Sequence, residues 1–185
     1  MRKIFISGGI FLLLLTVLVP LDTVAKNNEA PAFTNSGKGD ISSSLDKLKK
    51  DIEDIDKKMR NAESGSRKEM NLRHEREKLA LEAIHECQRF FLNNRKNDPR
   101  ARKTRQLFEQ MDKILVESAK KSKDFLYPDR MQNVNEVLEE IRAGKLNFPG
   151  RIPKSDSVLL KDIQKIQKKA LEEFHKEERQ NWRSK

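Results

Sequence analysis

One cysteine, one tryptophan and one tyrosine stand in 185 residues, with only seven glycines and six prolines. A lone cysteine cannot pair within its own chain, so a disulfide scaffold is excluded, and so is a zinc module built on several thiolates. Glycine is too sparse for a phosphate-cradling loop, and neither a Gly-x-Ser-x-Gly elbow nor a paired-carboxylate motif occurs. Apolar residues are also few. Beyond residue 25, Leu, Ile, Val and Phe make up about 21 % of the chain, just above the roughly 20 % below which a highly charged chain stays disordered. Folding therefore depends on where those residues fall. No segment alternates apolar and polar residues in the manner of a half-buried strand, and Asn-x-Ser/Thr is absent.

Charge is abundant: 39 Lys and Arg oppose 29 Asp and Glu, a formal excess of ten positive charges. The opening residues form a separate unit. Arg2 and Lys3 precede an apolar run from Ile4 to Val19, Pro20 ends it, and Thr23-Val24-Ala25 supplies small residues for a peptidase. The order and length are those of a secretory signal peptide over residues 1–25, with cleavage expected near Ala25 and export to a periplasm or the cell exterior. The apolar run is about 16 residues, shorter than the roughly 20 that span a bilayer. No Cys follows it, which excludes a lipoprotein anchor. Residues 26–40, with Pro31, Gly37 and Gly39 among small polar groups, read as a flexible tether, and residues 41–185 as a single helical domain.

Ile41, Leu45, Leu48, Ile52, Ile55, Met59 and Ala62 follow one another at alternating spacings of four and three, a coiled-coil-like seam that predicts a first helix. The stripe is narrow and needs one partner, either the rest of the bundle or a second copy through Ile41, Leu45, Leu48, Ile52, Ile55 and Met59. Acid-before-base pairs four apart, Asp46/Lys50, Glu53/Lys57, Asp54/Lys58 and Asp56/Arg60, support the same helix. Ser66-Arg-Lys-Glu69 has the form of a capping box and opens a second helix to about Asn94. Asp98-Pro99 starts a third, to about Leu126, whose broad apolar face makes it the expected central helix. Asp129-Arg-Met-Gln132 predicts the cap of a short fourth helix closed by Gly144. A strap over 145–156 then leads to a last helix seamed by Leu159, Ile163, Ile166, Ala170 and Phe174. The expected fold is all-α: an elongated bundle of four to five amphipathic helices with a central antiparallel hairpin.

Two Glu-x-x-His units, Glu82 with His85 and Glu172 with His175, have the spacing used in di-iron bundles, and Glu53 and Glu117 could complete such a set. On a helical wheel all four unit residues point away from the apolar faces, so the expectation is solvated surface, with no metal, no cofactor and no catalytic set. His74-Glu-Arg-Glu77 lacks the second histidine of a zinc-protease helix, since Lys78 stands there. Cys87, among apolar neighbours, reads as a small core residue. The remaining signal is basic. Arg95, Lys96, Arg100, Arg102, Lys103 and Arg105 fall within eleven residues, and the last four occupy the first turns of the third helix, where the macrodipole favours anions. This marks an anion- or partner-binding surface. The reading that follows is an exported, non-enzymatic interaction protein, chaperone-like or envelope-binding, that holds another protein or an anionic envelope component. Nucleic acid is disfavoured because no aromatics interleave the cluster and export removes the protein from most of it. The same features fit a secreted effector or virulence factor acting on a host, and the Glu-x-x-His units leave a small metal-binding or enzymatic bundle as the rival from another class.

Overall fold

The computed structural model describes residues 41–93, 98–121 and 133–183. The expected leader, the tether, Arg95, Lys96, the expected end of the third helix near Leu126 and the Asp129–Gln132 cap lie outside them. Among the described residues the fold is all-α, with five helices and no strand: α1 (Ile41–Arg60), α2 (Arg67–Asn93), α3 (Ala101–Lys121), α4 (Val134–Arg142) and α5 (Asp156–Arg183). All belong to the unit that begins at Gly37.

Local chemistry fixes the helix ends. The Ser66 hydroxyl accepts from the Glu69 N–H at 3.1 Å, the first half of the expected capping box. The second half is displaced by one residue: the Ser66 N–H already donates to the Glu63 carbonyl, so the Glu69 carboxylate accepts from the Gly65 N–H at 2.6 Å. Gly65 takes a φ of +73° in this turn, where an L side chain is strained. Asp98 caps α3, accepting from the Arg100 N–H at 2.8 Å. Gly144, at φ +69°, ends α4 while the Lys145 N–H turns back to the Glu140 carbonyl. Arg142 then holds the far end of the strap. Its guanidinium donates to the carbonyls of Pro153 and Lys154 and to the Asp156 carboxylate in the first turn of α5. Within the strap Leu146 and Phe148 pack on the core, whereas Ile152 is exposed.

The central helix is α2, which touches α1, α3, α4 and α5. This corrects the expectation for α3, and the reason is the distribution of side chains. The face of α3 is broad but single, with Phe108, Met111 and Leu115 buried, whereas α2 buries Met70, His74, Glu77, Ala80, Leu81, Ala83, Ile84, Cys87, Gln88 and Phe90, which lie around most of its circumference. The middle of the α1 seam is buried within the chain: Leu45, Leu48 and Ile52 belong to the bundle core, and Ile55 is equally buried. Two of its acids reach other helices. Asp56 pairs with Arg76 of α2 at 2.7 Å and Asp46 with Lys103 of α3 at 3.2 Å.

Candidate functional site

The expected basic junction divides in two. The Arg100 guanidinium pairs with Asp98 at 2.8 Å and lies 5.4 Å from the Phe90 ring centroid. Its side-chain and backbone hydrogen bonds hold the Asp98 carboxyl down at about 2, so a fixed anion sits at the start of α3 and relieves the conflict with the macrodipole. Lys103 is engaged with Asp46. Arg102 and Arg105 are different: both are exposed, neither has an ion-pair partner among the described residues, and both border a shallow recess shared with Pro99, Gln106 and Glu109.

The second polar assembly was hidden in the sequence. All three histidines of the chain, His74, His85 and His175, lie where α2 and α5 run antiparallel. His74 Nε2 meets Glu178 at 2.9 Å and His175 Nε2 meets Glu77 at 2.6 Å. His85 Nε2 meets Gln167 at 3.0 Å, and Gln164 donates to Gln88 at 3.0 Å. Each step forward along α2 is matched by an equal step back along α5, and the same register sets Leu81 opposite Leu171, both buried. The operative motif is therefore His-x-x-Glu, present once in each helix (His74 to Glu77, His175 to Glu178) and paired reciprocally.

The upper part of this strip is dense. The His74 and His175 rings stack with centroids 4.0 Å apart at 17°. Arg73 bridges the two acids, 2.9 Å from Glu178 and 3.7 Å from Glu77. Arg179 Nη1 lies 3.4 Å from His74 Nδ1, and since a guanidinium can only donate, Nδ1 accepts and Nε2 carries the proton toward Glu178. Burial, outweighing the hydrogen bond to Glu178, lowers the His74 pKa. Burial pushes the Glu178 carboxyl up, but hydrogen bonds from His74 and Arg73 more than offset this and leave it below its ordinary value. His175 is fully buried, and its Nδ1 has no partner among the described residues. Glu77 also borders a groove of about 570 Å³ between α1, α2 and α3, whose charged walls are Lys49, Glu53, Asp56, Arg73, Arg76 and Lys113.

In the lower part, burial depresses the His85 pKa to about 4. Gln164 donates to the His85 carbonyl and accepts from Arg89. Cys87 is buried, with Sγ 3.7 Å from the Thr104 carbonyl, and burial pushes its thiol up to about 12, which removes the thiolate that nucleophilic chemistry needs.

The wheel placed Glu82, His85, Glu172 and His175 in solvent, and this holds for the two glutamates only. His85 is half-buried and His175 sealed, because α2 and α5 each bury a second stripe beside their apolar one. The two units do not converge: His175 faces Glu77, eight residues along α2 from His85, or about 12 Å at helical rise. Among the described residues no group of three or more His, Cys, Asp or Glu is placed to hold a metal, and no helix is long and apolar enough to cross a membrane. No family model, curated protein or solved structure matches the chain.

Proposed function

We propose that this chain is an exported, non-enzymatic helical interaction protein whose basic surface holds an acidic partner, either another protein or an anionic component of the cell envelope. The observation that carries this reading is the pair Arg102 and Arg105, exposed on the first two turns of α3 while their neighbours Arg100 and Lys103 are committed to Asp98 and Asp46. An arginine that neither caps nor pairs contributes little to the fold but presents a fork of donors suited to carboxylate or phosphate groups. The overall excess of ten positive charges favours approach of an acidic surface. Export rests on the charged start, apolar run and small-residue exit of residues 1–25.

The test is retention on anionic lipid vesicles and envelope polysaccharide at low and moderate salt. Arg102→Gln/Arg105→Gln removes two charges with little change in helix propensity, and the expected outcome is unchanged thermal stability with reduced, salt-sensitive retention. A control lacking Lys165 and Lys169, on the exposed face of α5, loses the same charge. Equal loss of retention in the control reduces the effect to net charge and overturns the reading.

A further inference from the structure

We propose that the α2–α5 interface is an acid-sensitive clasp, in which protonation of His74 and His85 frees α5, from Gln167 to its C-terminal end, from α2. The argument begins with charge balance. Around the stacked imidazoles stand two carboxylates, Glu77 and Glu178, and two guanidiniums, Arg73 and Arg179. With neutral rings the cluster is balanced. A proton added to His74 is uncompensated, and it sets a cation against the His175 ring at 4.0 Å and beside the Arg179 guanidinium at 3.4 Å. The charges beyond Glu77, in the groove toward α1 and α3, offer no spare anion: Asp56 is engaged by Arg76 and Glu53 by Lys49, while Lys113 adds another positive charge.

His85 has the same problem in a different form. Its ring partner is the neutral Gln167, and the charges acting on it are Arg89 of α2 and Lys168 of α5, both positive. The sign follows directly. A ring held neutral while docked and charged when released takes up its proton on release, so acid favours the released form from the ordinary value near 6.5 down to about 4 for His85. At pH 5 that group alone shifts the balance toward release by about thirtyfold. Glu178, held below its ordinary value by His74 and Arg73, stays charged through most of this window, so the histidines respond before it does.

The chain carries its own reporter. Trp182, the only tryptophan, sits at the end of α5, 40 % exposed but held on its inner edge, with its indole N–H 3.5 Å from the Gly65 carbonyl and the Arg67 guanidinium 6.0 Å from its ring. Emission of Trp182 in the full chain is therefore measured from pH 7.5 to pH 4. The expected result is a reversible shift to the spectrum of a solvated indole with its midpoint between pH 6.5 and 4, and a midpoint at least one pH unit lower in His74→Gln/His85→Gln. Emission that stays constant to pH 4, or a variant midpoint equal to that of the native chain, overturns the clasp. Should the double variant not fold, the imidazole resonances of the native chain decide. Titration of His74 and His85 below 6.5 together with the Trp182 change supports the clasp; their titration at or above 6.5 with Trp182 still docked overturns it.

Discussion

Glu77 is nearly sealed from water, and its two oxygens serve different helices: Oε2 accepts from His175 of α5 while Oε1 faces Arg73 of α2. Because His175 Nδ1 has no partner among the described residues, the bond to Glu77 is the only side-chain hydrogen bond that ring makes among them. Glu77→Leu removes it and leaves a buried imidazole with neither nitrogen satisfied, at a cost on the order of 3–5 kcal/mol. Glu77→Gln keeps an acceptor in place and is expected to cost less than half as much. Adding His175→Leu to Glu77→Leu is expected to restore most of the loss, since both partners then leave together. Urea unfolding at pH 7.5 measures all three, and equal losses for Leu and Gln would show that the pair is incidental.

At the scale of the element, α1 shows how a narrow stripe is enough. It packs chiefly on α2, and Ile52, at 3 % exposure, belongs to the bundle core. Ile52→Asp places an unpaired charge there and is expected to cost roughly 3–5 kcal/mol, read as a large fall in melting temperature. Unchanged stability would mean that α1 stands free of the bundle. The same helix also shows what a sequence makes legible. Periodicity at three and four residues located α1, and Ser66, Asp98 and Gly144 announced their helix ends through side-chain chemistry that acts within a few residues. The histidine strip was not legible by that route, because a wheel drawn from one apolar face treats everything opposite as solvent, whereas α2 is covered on several sides. One signal was available. His-x-x-Glu occurs in both α2 and α5, and His85-x-x-Gln88 in α2 has its counterpart in Gln164-x-x-Gln167 of α5; only knowing that the two helices run antiparallel turns that repetition into a contact.

At the scale of the whole molecule, a hub helix makes the fold depend on itself. Since α2 touches every other described helix, loss of α2 removes the floor under all of them, and heating at pH 7.5 is expected to give one cooperative transition, with helicity and Trp182 emission falling together. Separate transitions would show that α1 or α5 melts independently. The antiparallel strip adds a kind of ruler to this arrangement. Two helices joined by grease alone can slide past one another by a turn and lose little. Here a slide of three residues sets Glu77 against Glu172 or Glu178, carboxylate to carboxylate, and a slide of four in one direction sets His74, Glu77, His85 and Gln88 against Phe174, Leu171, Ile163 and Leu160. A length change inside α5 would therefore throw every graduation beyond it out of alignment, while one placed in the strap between Leu146 and Pro153 would leave them all in step.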